Sequence, residues 1–148
     1  MRIENSLQTI GFIQKISDSA KSMPIDCLLP KFVAAIPPRI SLQQYAIRIS
    51  SKSSCSEACF VLATIYIERL LAKRVVVNQY SVHRIFLVST LLAIKYLEDD
   101  CFDNKWYATF GGVSLSELNS LEQDMLEFLE YRLVVTSEEY NGRSSGIN

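Results

Sequence analysis

From Ser81 to Leu97 the chain reads Ser-Val-His-Arg-Ile-Phe-Leu-Val-Ser-Thr-Leu-Leu-Ala-Ile-Lys-Tyr-Leu. The apolar residues of this stretch fall on every side of a helix instead of along one stripe. A helix without a polar face is stable in water only when other elements surround it, so it belongs at the centre of a bundle. A bilayer span would take about 20 apolar residues, and the longest apolar runs here, Ala58–Ile67 and Ile85–Ile94, are too short for that. The rest of the chain must supply the cover.

Capping signals and helical periodicity place that cover. Leu7, Ile10, Ile13 and Ile16 mark an amphipathic helix within residues 1–22, with Asn5 or Ser6 as its cap. All four prolines (Pro24, Pro30, Pro37, Pro38) fall in 23–40, an irregular lead-in expected to pack Phe32, Val33 and Ile36 onto the bundle. Ser41 and Gln44 have capping-box spacing and open a helix closed by the polar stretch Ser50–Ser54. Ser54 and Glu57 repeat the box for a helix reaching Ala72, and Val75–Val77 reads as a buried connector. After the central helix comes a short helix at 102–110 carrying Trp106, Tyr107 and Phe110, stopped by Gly111-Gly112. Ser114 and Glu117 open the last helix, which shows Leu115, Leu118, Leu121 and Met125 and ends near Arg132. Residues 137–148, polar and Gly-containing, read as a frayed tail. The expected fold is all-α, a five-helix bundle with a central buried helix and an extra N-terminal helix.

The composition removes several function classes. Fifteen basic against sixteen acidic side chains give a net charge of −1, so no overall basic field draws the chain to nucleic acid. The charge is graded, with seven basic and three acidic residues in 1–53 but two and seven in 117–148. Such a gradient is read as solvated helix faces, or as a docking surface for a basic partner. Four cysteines without a CxxC pair and one histidine, His83, are a poor inventory for a zinc site, and buried thiols in a reducing compartment are expected. No GxSxG, HExxH or phosphate-binding loop is present, and His83 is assigned to capping or packing. Glu4 interrupts the N-terminus before any apolar core, so no secretory signal is read there. The chain is expected to be a soluble intracellular protein, cytoplasmic or nuclear, monomeric when free, with no catalytic residues, metal, cofactor or membrane partner.

Three charges stand inside apolar stripes. Lys95 prolongs the face of Val88, Leu91 and Leu92; Glu122 sits among Leu118, Met125 and Leu126; Glu68 falls between Val61, Ile65 and Leu71. A charge so placed must pair, snorkel or await a partner. Glu68 has no basic residue three or four positions away, so its counter-ion must come from another helix, and Arg48 is the candidate.

The segments Ile40–Ile49, Ser56–Phe60, Ile65–Leu70, Asn78–Arg84, Ala93–Asp99, Trp106–Ala108, Gly111–Ser114 and Glu117–Glu122, in this order, resemble a cyclin box. They are most similar to the P-type (U-type) cyclins related to the fungal phosphate-response cyclins. The resemblance divides the chain into an N-terminal helix and lead-in at 1–36, the box at 37–137 and a flexible tail at 138–148. It implies a non-enzymatic regulatory subunit whose third and fifth box helices dock on a cyclin-dependent kinase catalytic subunit and hold its αC helix in the active position. Motif matching places the kinase-contacting Lys and Glu of the family on Lys95 and Glu122, and apolar contacts on Leu92, Tyr96, Tyr131 and Leu133. It places the family's structural ion pair on Arg48 and Glu68, where Glu stands in for Asp. The first box helix lacks an MRAIL-like run, so the substrate-docking patch of cell-cycle cyclins is not expected, and the length leaves no room for a second box. Family sequences usually continue beyond the equivalent of the last residue here, so a truncated chain is the expectation. The alternative is a cyclin-fold helical adaptor in transcription or scaffolding that activates no kinase.

Overall fold

The structure, a computed structural model, describes residues 3–19, 28–53 and 55–146. The helices are α1 Ile3–Ser19, α2 Leu42–Ser53, α3 Glu57–Ala72, α4 Val82–Leu97, α5 Asn104–Gly111, α6 Leu115–Phe128 and α7 Ser137–Gly146, with a short 3-10 turn at Pro30–Phe32. No strand occurs among the described residues. None of their helices is long and apolar enough to cross a membrane.

As its sequence demands, α4 runs through the centre, with every residue from Ile85 to Ile94 buried. Its neighbour α3 is nearly as enclosed, with an unbroken buried run from Cys59 to Ile67, so the core is built on two central helices where the sequence indicates one. Phe60 and Phe86 stack between them at 5.8 Å. Each such side chain contributes about 1.5–3 kcal/mol when removed from water. Three other helices pack an apolar face onto this pair: α1 through Ile10 and Ile13, α2 through Leu42, Tyr45 and Ile49, α6 through Leu118, Leu121 and Met125. Two hydroxyls caught inside find partners, Thr64 Oγ1 donating to the Phe60 carbonyl at 3.0 Å and Ser89 Oγ to Met125 Sδ at 3.6 Å.

The helix starts follow the capping chemistry. Gln44 N–H donates to Ser41 Oγ at 3.1 Å while Ser41 N–H donates to Gln44 Oε1 at 3.4 Å, a reciprocal box. Asp103 caps α5 through Trp106 N–H (3.0 Å), and Ser114 caps α6 through Glu117 N–H (3.0 Å). The start of α4 is set by Asn78, whose carbonyl receives Ser81 and Val82 N–H while its own N–H donates to Ser81 Oγ. His83 packs edge-on against Tyr45 at 5.1 Å with Nε2 at 2.8 Å from the Ile40 carbonyl, and burial pushes its imidazole toward the neutral form. Val75 and Val77 are buried in a connector.

Several sequence expectations change. Asn5 and Ser6 lie inside α1, which begins at Ile3. Ile36 is exposed, and only Phe32 of the lead-in trio is fully buried. Leu115, expected on the apolar face of the last helix, is exposed as well. The N-cap of α3 is Ser56, and Ser54 lies outside the described residues, as do Pro24 and Cys27. Ser56 N–H is taken across the bundle by Glu98 Oε1 at 3.2 Å, and the same oxygen accepts from Cys59 Sγ at 3.5 Å. Cys55 and Cys59 are buried, whereas Cys101 is exposed. Helix α6 stops at Phe128, short of Arg132, because Glu130 and Tyr131 take left-handed conformations (φ 57° and 58°). In place of a frayed tail, α7 folds onto α3. It starts from a box formed by Thr136 and Glu139, with Glu139 N–H to Thr136 Oγ1 at 3.1 Å and Thr136 N–H to Glu139 Oε1 at 3.3 Å.

Two predictions follow from these connections. At Gly112, φ is +75° and a Cβ would meet nothing within 4 Å, so the whole cost of Gly112→Ala is backbone strain. Urea unfolding is expected to show a loss of about 1–2 kcal/mol with unchanged slope. The second concerns Glu98, held below the usual carboxylate range by its bonds to Ser56 and then Cys59, and Glu139, held there by Arg69 and then Thr136. A depressed carboxylate stabilises the fold above its unfolded pKa, roughly 4.3, and that contribution is lost as pH falls through the native value. The melting temperature is therefore expected to fall between pH 5 and pH 2.5, and less steeply in Glu98→Gln; equal slopes would show that the Glu98 clamp contributes nothing.

Candidate functional site

The cover over α4 ends at its last turn, and there the chain places its misplaced charges. Lys95 Nζ lies 2.8 Å from Glu122 Oε2 and donates to Oε1 at 3.1 Å, bridging α4 to α6. Asn104, at the first position of α5, donates to Glu122 Oε1 at 3.1 Å and to Asn119 Oδ1 at 2.8 Å, so the carboxylate is oriented by two elements. The Lys95 side chain is 35% exposed and that of Glu122 15%. A pair this close to water contributes at most about 1 kcal/mol to stability. Its definite result is a fixed cation–anion arrangement at the α4–α6 seam. Beside it the aromatic face of Tyr96 and the side chain of Leu97 are exposed, although both belong to the most buried helix of the molecule.

A second exposed stretch follows α6. Tyr131 is exposed, and its hydroxyl accepts from Nε2 of Gln123, the residue after Glu122, at 2.7 Å. Two successive left-handed residues without glycine cost about 2–4 kcal/mol, so the segment after Phe128 needs external anchors. They come from α3. Tyr66 Oη donates to the Leu133 carbonyl at 2.8 Å, Arg69 to the carbonyls of Arg132 (2.8 Å) and Val134 (2.9 Å), and Lys73 to that of Phe128 (2.7 Å). Leu133 thereby turns its side chain partly into the core, while Val134 is exposed. Two hollows flank this surface. One, of about 620 Å³, lies between Arg69, Lys73, Leu129, Tyr131 and Val134, and one of about 290 Å³ lies between Leu62, Tyr96, Val135 and Tyr140.

Of the sequence-derived site residues, Lys95 and Glu122 meet at the α4–α6 seam, Tyr96 is exposed next to Lys95, Tyr131 is exposed in the segment after α6, and Leu133 is partly buried there. Leu92 does not join them: it is 2% exposed and packs in the core, because its position on α4 points inward toward the other helices. The Arg48–Glu68 pair does not form either. Arg48 is exposed on α2 and donates to the Phe110 carbonyl at 3.4 Å, while Glu68 is paired with Arg143 of α7. Arg143 also lies over the Phe12 ring at 4.6 Å, so this cation joins α1, α3 and α7. Sequence reasoning also missed Asn104 and Arg69. Nothing in their local pattern distinguishes them, because their partners are 18 and more than 60 residues away.

Comparison with known proteins agrees with the architecture. A family model described as cyclin matches residues 11–133. Cyclin-P3-1 of Oryza sativa subsp. japonica is 40% identical over 129 residues, covering 86% of this chain and 55% of its own. Cyclin-U4-2 of Arabidopsis thaliana is 35% identical over 118 residues, covering 78% of this chain and 55% of its own. The PHO85 cyclin-like protein psl1 of Schizosaccharomyces pombe is 30% identical over 141 residues, covering 93% and 57%. The chain thus spans about half the length of these curated relatives. It belongs to the cyclin family, and its helices are those of an all-α cyclin-box fold.

Proposed function

We propose that this cyclin is a regulatory subunit that binds and activates a cyclin-dependent kinase, with the α4–α6 seam as its docking face. The observation that carries the reading is the Lys95–Glu122 pair, held at 2.8 Å where the most enclosed helix emerges, with exposed Tyr96 on one side and Tyr131 on the other. A partner that covered these exposed aromatics would gain apolar burial next to a polar mark that fixes its orientation. Family membership and the likeness to the fission-yeast PHO85 cyclin-like protein support a kinase-regulating role.

An active kinase needs the glutamate of its αC helix paired with the lysine of strand β3, so that the lysine is held on the ATP phosphates. A rigid helical surface pressed on αC favours that inward position and shifts an equilibrium the kinase already samples. Two packed helices with their side chains locked by the core provide such a surface. Docking of this kind buries on the order of 1,200–2,000 Å². Lys95, Glu122, Tyr96, Tyr131 and the backbone around Leu133 are its central contacts; Leu92 acts from beneath, by packing.

The test exchanges the two charges, Lys95→Glu with Glu122→Lys. The bridge between α4 and α6 can re-form with its direction reversed, so helicity and melting temperature should stay within a few degrees of wild type. Affinity for the kinase that co-purifies with the wild-type chain is expected to fall about a hundredfold, and stimulation of its phosphorylation rate to fall with it. An exchanged variant that binds and activates at wild-type levels would overturn the site assignment.

A further inference from the structure

Tyr66 and Arg69 stand three residues apart on one face of α3, and Lys73, the residue that caps its C-terminus, follows four residues on, so the three form one row. Every member of that row donates to a main-chain carbonyl of the segment that follows α6. Tyr66 takes Leu133, Arg69 takes Arg132 and Val134, and Lys73 takes Phe128. The three consecutive carbonyls from Arg132 to Val134 are thus all engaged by α3 side chains. This extended stretch is flanked on one side by the left-handed Glu130 and Tyr131 and on the other by the start of α7.

Arg69 is the centre of the row. Its guanidinium spans two carbonyls at 2.8 and 2.9 Å, which fixes both the position and the rotation of the strand-like segment, as a single-point donor could not. A third bond, to Glu139 Oε2 at 2.9 Å, ties the same group to the capping box of α7. Lys73 adds its contact over the Phe128 ring at 5.4 Å, holding the last turn of α6 against α3.

We infer that Arg69 is a positioning residue of the docking face. It touches no partner itself but holds the segment that presents Tyr131 and Leu133, and Glu139 of α7 holds Arg69. The inference rests on the kinase-docking reading above. Without the clamp, the two left-handed residues lose the anchors that keep Tyr131 beside Gln123, and the surface is present in composition but not in shape. The role predicts coupling between Arg69 and Tyr131, whereas a purely structural arginine would act independently of it.

The test uses the full chain and the kinase that co-purifies with it. Four variants are compared with wild type: Arg69→Gln, Tyr66→Phe, Tyr131→Ala and the double variant Arg69→Gln/Tyr131→Ala. Amide hydrogen exchange of 130–135, read without any kinase, should accelerate in Arg69→Gln while that of α4 is unchanged. Kinase affinity should drop about tenfold in Arg69→Gln and about as much in Tyr131→Ala, and the double variant should lose no more than the larger single loss. Tyr66→Phe, which removes one hydroxyl and keeps the ring, should shift both readouts in the same direction by less, and it serves if Arg69→Gln does not fold. Unchanged exchange at 130–135, unchanged affinity in Arg69→Gln, or losses that simply add would each overturn the inference while leaving the docking face in place. A wild-type chain that binds no kinase would overturn the docking reading and the docking role of Arg69 together.

Discussion

The covering of α4 is the constraint from which the rest of the architecture follows. A helix with apolar residues on all sides cannot tolerate an open flank, and α3, α2 and α6 close it. Where that cover stops, at the last turn, the helix changes character within one residue, from buried Ile94 to Lys95, Tyr96 and Leu97. The proposed docking surface is therefore no separate device added to the fold. It is the place where the core runs out of covering helices, and its geometry inherits the rigidity of the most tightly packed part of the molecule.

The connections between helices serve the same end. Glu98, directly after α4, reaches back to the start of α3 and fixes the two ends relative to one another. Asn104 does the corresponding work between α5 and α6. The segment after α6 is held in the same manner by the row of donors on α3, so that irregular backbone is as well determined here as a helix would be.

Much of the architecture was legible because its signals are local. Ser41 with Gln44 and Ser114 with Glu117 announce helix starts three residues ahead, and the stripes that follow give the buried faces. Lys95 and Glu122 stood out because a charge in an apolar stripe is visible without any structure. The errors share the opposite cause. That Arg143 and not Arg48 pairs with Glu68 depends on α7 folding back over 75 residues, and no local pattern reports that. Helix α7 itself has few apolar residues, and its capping box, Thr136 with Glu139, was overlooked amid a polar composition. Leu92 was assigned to the surface by motif position, but a helix enclosed on nearly all sides leaves only its final turn available. The end of α6 shifted because consecutive left-handed residues without glycine require anchors from α3, and these are tertiary.

The charges of Lys95 and Glu122 meet each other before they meet anything else. What an approaching molecule senses at a distance is then a small dipole, whose field fades faster than that of a lone ion and is largely hidden beyond about 8 Å at physiological ionic strength. Long-range attraction from this spot is weak, and encounter there is governed by diffusion and shape. Only at contact does the dipole exert torque, rewarding one rotational setting of the visitor over others. Salt should consequently leave the rate of capture at this seam almost untouched and act chiefly on how long a correctly turned complex survives.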